Sequence, residues 1–185
     1  TPVDSGMVLV PAGRYTIGTN EGDALDGPEH RDSVAAFAID ALEVTAGDYA
    51  KYAVAAHAPS PWEGNQPDAA VPATRIMWQE AANYCLWKHR DGGRLPTEQE
   101  WEAAARGGEG RRYPWGNTFD SLAANLKSAR RGGPAPVGTF RGGGTPAGVF
   151  DLIGNVWEWT SSAPTAYPGS KAKSGDPSFR VIRGG

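Results

Sequence analysis

Arg94-Leu95-Pro96-Thr97-Glu98-Gln99-Glu100-Trp101-Glu102-Ala103-Ala104-Ala105-Arg106-Gly107-Gly108 spells out a helix from its first residue to its last. Thr97 stands where an N-cap hydroxyl accepts from the amide three residues on, and Glu100 stands at that third position, able to bond back to the Thr97 amide. Pro96 fixes the entry, Trp101, Ala104 and Ala105 fall on one face, and Gly107-Gly108 ends the run. A helix this short holds only when its apolar face is packed, so the reading already demands a surrounding core.

Upstream, Trp78 to His89 reads as a second helix, with Ala81, Ala82, Cys85 and Leu86 at helical spacing and Gly92-Gly93 as its stop. Cys85 falls on the apolar face and is read as a core thiol rather than a nucleophile, because reactivity needs exposure and a positive neighbour. Residues 56 to 73 hold Pro59, Pro61, Pro67 and Pro72, which exclude helix and central strand. Trp62 in that loop either packs inward or meets a ligand, and packing is the preferred reading. A first helix begins at Thr45, with Asp48 three residues on and Tyr49, Tyr52 and Ala53 sharing a face. Val34 to Ile39 reads as one strand ending at Asp40, after an acidic loop from Glu21 to Glu29. Met7 to Val10 and Arg14 to Gly18, separated by Pro11-Ala12-Gly13, read as an N-terminal hairpin.

Downstream of Gly107, glycine and proline recur every few residues, with Tyr113, Trp115, Phe119, Phe140, Phe150, Trp157 and Trp159 as anchors. This half reads as ordered loops pinned by aromatic side chains. The whole chain of 185 residues, with 25 Gly, 15 Pro and 7 Trp, reads as one irregular α+β domain. A net charge of -3 argues against nucleic-acid binding, and no apolar run approaches the length of a membrane span, so no membrane insertion is expected. The short basic cluster of Lys127, Arg130 and Arg131 reads as a solvated loop face. With Cys85 as the one cysteine, neither an internal disulfide nor a cysteine-built zinc site can form within these residues. His30, His57 and His89 lack metal-ligand spacing, and Gly142-Gly143-Gly144 is followed by no Lys-Ser/Thr and is no phosphate loop.

The helix stretch just quoted, Tyr113-Pro114-Trp115-Gly116-Asn117 and Gly154-Asn155-Val156-Trp157-Glu158-Trp159-Thr160 together resemble the signature segments of the formylglycine-generating enzyme (sulfatase-modifying factor) family. Weaker matches follow in the same order: Met7 to Gly18, Ile39-Asp40 with Glu43-Val44-Thr45, Trp78 to Trp87, and Arg180 to Gly185. The resemblance implies a C-type-lectin-like fold, loop-rich with few helices and short strands. It also implies a departure. In the family, the Arg-Val-x-Arg-Gly-Gly segment continues into a closing segment of several dozen residues, which in catalytic members carries two cysteines that bind copper(I) and oxidise a substrate cysteine to formylglycine. Residues 1–185 are therefore expected to form a single domain without that closing segment, with strand edges left for the segment or for another chain to cover. No catalytic residue is carried over, and copper enters only if two further cysteines do.

The resemblance does imply a calcium site. It assigns Asp151 and Glu158 as carboxylate ligands and Gly154 and Val156 as main-chain oxygen donors, a set suited to a hard cation. The alternative is that Asp151 caps a turn and Asn155 bonds its own backbone. A second family site would begin at Asn125 and Leu126, but Arg130 and Arg131 stand where acidic ligands are needed, and the site is read as lost. The functional expectation is a non-catalytic domain that binds a protein or small-molecule ligand, as the related variable proteins of diversity-generating retroelements do. The alternatives are a formylglycine-generating oxidase whose cysteines lie beyond Gly185, and an accessory domain of a larger bacterial signalling protein.

Overall fold

The computed structural model describes residues 6–21, 26–89, 92–129 and 131–185. Arg130, residues 1–5 and residues 22–25 of the acidic loop lie outside the described residues. The elements run β1 (Met7–Val10), β2 (Gly13–Ile17), β3 (His30–Val34), β4 (Phe37–Asp40), α1 (Ala46–Ala55), α2 (Trp78–Lys88), α3 (Glu98–Arg106), then β5 (Trp157–Trp159) and β6 (Ile182–Gly184). Two short 3-10 turns, Lys127–Ala129 and Arg141–Gly143, punctuate the long stretch between α3 and β5. This is the loop-rich α+β architecture expected.

The helix boundaries follow the sequence closely. Thr97 accepts from the Glu100 amide at 3.1 Å and Glu100 bonds back to the Thr97 amide at 2.8 Å, closing the capping box. Glu100 is also gripped from outside by Arg94 through two bonds of 2.6 and 2.7 Å. Thr45 likewise caps α1 by accepting from the Asp48 amide at 3.0 Å. In α2 the inward face differs from the expected one: Tyr84 is its buried residue, Cys85 is half-buried, and Leu86 points to solvent. Tyr84 stacks on Tyr49 and meets Tyr52 edge-on, so aromatic packing against α1 sets the rotation of α2.

The strands depart further from the sequence reading. β1 and β2 do not form a hairpin with each other. β1 pairs antiparallel with β4, from Met7 opposite Asp40 to Val10 opposite Phe37, and β2 pairs with β3, from Gly13 opposite Val34 to Ile17 opposite His30. Pro11 explains the corner: its ring fixes φ and removes an amide, and its carbonyl instead accepts from the Tyr15 hydroxyl at 2.6 Å. The run Val34 to Ile39 is two strands, broken at Ala35-Ala36, because its residues serve different sheets. β5 and β6 make a third pair, Trp157 opposite Gly184 and Trp159 opposite Ile182.

Three apolar clusters fill the interior. Ile17, Tyr15, Val34 and Ala103 join the β2–β3 ladder to α3. Trp101, Ala105, Val149 and Leu152 join α3 to the loop that precedes β5. Tyr49, Tyr52, Tyr84 and Trp62 bind α1 to α2 and to the proline-rich loop. Trp62 is thus a packing residue, with its indole donating to the Thr74 carbonyl at 3.2 Å. Among the described residues no helix is long and apolar enough to cross a membrane.

Candidate functional site

The loop from Val149 to Glu158 is pinned at its start by burial of Val149 and Leu152 beneath Trp101. Beyond that it turns tightly, with Asp151, Gly154 and Asn155 all in the left-handed region at φ of 59°, 79° and 58°. Side chains rarely accept that conformation without compensating contacts. Here they have them. Asp151 accepts from the Gly138 amide at 2.5 Å, and Asn155 accepts from Asn125 Nδ2 at 3.0 Å and from the Ala135 amide at 2.8 Å. Asn155 bonds partners in other segments rather than its own backbone, while Asp151 does cap a turn, the one from Pro136 to Thr139 that contains Gly138.

Glu43, from the bend between β4 and α1, closes the arrangement. Its carboxylate accepts from Asn155 Nδ2 at 2.6 Å and from the Val156 amide at 3.3 Å. Burial, then the nearby Glu158 carboxylate, pushes the Glu43 carboxyl up to about 8, against the pull of its bonds to Asn155 and Val156. Glu158 is also pushed up to about 8, mainly by burial, with Asp151 adding and the Trp101 indole opposing. Glu158 Oε1 is shut off from solvent and makes no hydrogen bond of ordinary length and angle; the Trp101 indole N–H lies close enough to pull the carboxyl down but closes no such bond with it.

A second observation locates where that orphaned oxygen points. A Cβ placed on Gly184 would sit 3.2 Å from the Val156 carbonyl oxygen, 3.4 Å from Glu158 Oε1 and 3.8 Å from the Leu152 carbonyl oxygen. Three oxygens thus lie around one small region that glycine leaves open; the Val156 carbonyl among them already accepts from the Gly185 amide at 3.2 Å and has one lone pair left. A carboxylate plus main-chain carbonyls is a donor set for a hard cation. Of the four residues assigned from sequence, Glu158 and Val156 come together there, and Leu152 joins them unexpectedly. The Asp151 carboxyl, held by Gly138, and the carbonyl of Gly154 are not among the three atoms nearest that point. Gly154 instead backs against Asn125, where a Cβ would strike the carbonyl oxygen at 2.6 Å. Among the described residues no three His, Cys, Asp or Glu side chains are arranged to hold an ion by themselves, so main-chain oxygens would have to complete any shell. Asn125, where the second family site would begin, donates its side-chain Nδ2 to the Gly133 carbonyl and to Asn155 Oδ1.

The same loop forms part of the wall of a groove of about 1050 Å³ that runs between the β1–β4 sheet and α2. Leu9, Leu42 and Tyr84 give it apolar sides, Glu43 and Glu158 lie at its floor, and Trp157, 63% exposed, forms its lip. Cys85 lines this groove half-buried, and burial, then Asp40, pushes its thiol up to about 11. Its alkylation by iodoacetamide at pH 7.5 is expected to run roughly a hundredfold slower in the folded protein than in the urea-unfolded chain. Equal rates would contradict the assignment of Cys85 as a core thiol. A second cavity of about 560 Å³, lined by Glu102, Arg106 and Arg183, is a zone of mutual ion pairing that ties the loop after β2 to α3 and β6. Sequence reasoning missed Glu43 and Gly184 as site residues. Both lay inside quoted motifs, Glu43-Val44-Thr45 and Arg180 to Gly185, which was the available signal.

The sequence matches the sulfatase-modifying factor enzyme 1-like domain over residues 2–185. It is 33% identical to the inactive C-alpha-formylglycine-generating enzyme 2 of Mus musculus, over 98% of this chain and 74% of that protein. It is 30% identical to the formylglycine-generating enzyme of the same organism, over 84% of this chain and 57% of that enzyme. In three dimensions it is similar to PvdO from Pseudomonas aeruginosa, at a TM-score of 0.75 and 27% identity, covering 96% of this chain and 80% of that one. With the sequence match running essentially end to end and the three-dimensional likeness agreeing with it, the chain belongs to the family of sulfatase-modifying factor enzyme 1-like domains.

Proposed function

We propose that residues 1–185 act as a non-catalytic binding domain that holds calcium in the loop 151–158 and takes an extended polypeptide in the groove beside it. The observation that carries the reading is the groove itself, whose apolar walls end in a tryptophan lip next to the buried acidic floor. An extended polypeptide suits it because β1 and β4 form a sheet of two strands, which is marginal unaided and gains from an added strand. Leu9 and Ala38, opposite each other in that sheet, are both exposed toward such an occupant. The occupant can be a further stretch of the same polypeptide or another chain.

Calcium is supported by the orphaned Glu158 oxygen and the carbonyls of Val156 and Leu152 around Gly184. Glu158 and Val156 would hold the ion, with Leu152 as a third donor and Asp151 close enough for its charge to raise the Glu158 carboxyl. Copper does not fit these residues: copper(I) selects a pair of soft thiolates, and Cys85 is a single, half-buried thiol. Similarity to an inactive member of the family agrees with a role without oxidation.

Selecting a random decapeptide library on the immobilised domain is expected to enrich sequences of alternating apolar residues. Trp157→Ala should weaken their binding about tenfold or more, since exposed aromatic anchors dominate such contacts. No enrichment, or peptides indifferent to both Trp157→Ala and Leu9→Asp, would count against the groove. Conversion of a cysteine-containing peptide to an aldehyde by the copper(I)-treated domain would replace this proposal with the oxidase reading.

A further inference from the structure

The calcium reading draws on residues 151–158 and leaves Glu43 without a part. Its position is unusual for an acid with no structural duty. It reaches Asn155 across 112 residues of sequence, and its two oxygens are divided between the Asn155 side chain, at 2.6 Å, and the Val156 amide, at 3.3 Å. Both contacts fall on the part of the loop where backbone geometry is most demanding, since Asn155 has φ of 58° and follows a glycine at 79°. Holding the Val156 amide fixes the peptide plane just ahead of the Val156 carbonyl. That carbonyl oxygen lies near the same point as Glu158 Oε1 and the Leu152 carbonyl oxygen. The two oxygens of one carboxyl group reach the two donors at once, whereas a glutamine in its place would turn an NH2 group toward one of them.

We propose that Glu43 is the positioning residue of the cation loop, clamping Asn155 and Val156 so that the Val156 carbonyl is held toward Glu158. The inference rests on the reading of this loop as a calcium site, and goes beyond it by naming a residue far away in sequence on which the affinity depends. Glu43 touches no donor oxygen of that site directly. It acts through the loop, as partners of metal ligands do when they fix ligand orientation.

Trp101 lies beside Glu158, so terbium at the site would be excited through the indole, and its displacement by calcium gives an affinity without any assay of activity. Glu43→Gln is expected to weaken terbium and calcium binding by roughly ten- to hundredfold, the range for losing such a partner. Asn155→Gly, which keeps the left-handed backbone accessible but removes the tie, should do the same. The double variant should be weaker than either single one by less than the sum of their losses, because the Glu43–Asn155 tie is shared while the Val156 contact of Glu43 and the Asn125 and Ala135 contacts of Asn155 are not. A purely structural role predicts another pattern: a lower melting midpoint in EDTA with unchanged terbium affinity. If Glu43→Gln fails to fold, Asn155→Gly carries the test alone. Wild-type binding matched by both variants overturns the role of Glu43 and leaves the calcium site standing. A wild-type domain with no saturable, calcium-displaced terbium emission overturns the calcium site, and the role of Glu43 with it.

Discussion

Saturating calcium is expected to raise the unfolding midpoint of this domain by about 5–10 °C at pH 8, and EDTA to reverse it. Calcium at a hundred times its dissociation constant adds about 2.7 kcal/mol to the folded state, and in a domain of this size each kcal/mol moves the midpoint by about 2–4 °C. The pH dependence has a definite sign. Glu43 and Glu158 have folded-state carboxyls raised from 4.5 to about 8. A raised acid favours its protonated form in the folded protein, so its contribution is complete below about pH 4.5 and is lost as the pH rises toward 8. The metal-free domain should therefore melt lower at pH 8 than at pH 5, and the gain from calcium should be larger at pH 8. Glu158→Gln should remove most of the gain from calcium but only part of the pH dependence, because Glu43, raised first by its own burial, still titrates. Calorimetry at the two pH values with calcium or EDTA reads all of this. A midpoint in EDTA that rises between pH 5 and pH 8, or is insensitive to calcium at both, would rule out a cation site in this loop.

Trp62→Ala should be the most damaging single truncation in the α1–α2 half, costing about 3–5 kcal/mol, which lowers the midpoint by about 6–20 °C. Trp62 is 4% exposed and sits edge-on to Tyr49 at 5.8 Å between centroids. The cavity left would open against Tyr49, Tyr52 and Tyr84, whose rings already hold one another and cannot easily collapse into it. Its indole bond to Thr74 also anchors the proline-rich loop, so the same change strips that loop of its tie to the core. Trp62→Phe, which keeps most of the ring but not the donor, should cost less than half as much. Urea unfolding of the three proteins separates the two contributions, and a Trp62→Ala loss below about 1 kcal/mol would mean that this cluster is not the core of the half it occupies.

How much of this was legible in the sequence depends on how far each element must reach for its partners. α3 and α1 were legible to within a residue because their caps are local: Thr97 with Glu100, Thr45 with Asp48. β1, β2 and β4 were located but β1 and β2 mispaired, since nothing in Met7 to Ile17 says that β1 will choose β4 over the neighbour two residues away, and β3 was missed but for Val34 because His30 to Ser33 is polar throughout. α2 was placed correctly and rotated wrongly, because the choice between Leu86 and Tyr84 as the inward residue is made by the rings of α1. β5 and β6, three residues each, are too short to show a period at all. At the candidate site, Glu158 and Val156 came from the family resemblance, and an oxygen of each lies beside Gly184. Glu43 and Gly184 could not be found by local reasoning, because each matters only through a loop more than a score of residues away in sequence.

The pairing of β6 has a consequence for how the chain is made. Arg183, in that strand, donates to Glu98 on α3 and to the Tyr167 hydroxyl at 2.7 Å, and Gly184 packs beside the loop 151–158. During synthesis, α3 and the α1–α2 pair can form as soon as they emerge, since their contacts are short-range. The salt-bridged centre and the loop 151–158 must wait until residues 180–185 have left the ribosome. Assembly ordered by such distant contacts is slow compared with helix formation. The nascent domain therefore spends an interval with Glu98 lacking its Arg183 partner, a stage at which a chaperone or a nearby cation has most influence on whether the fold closes.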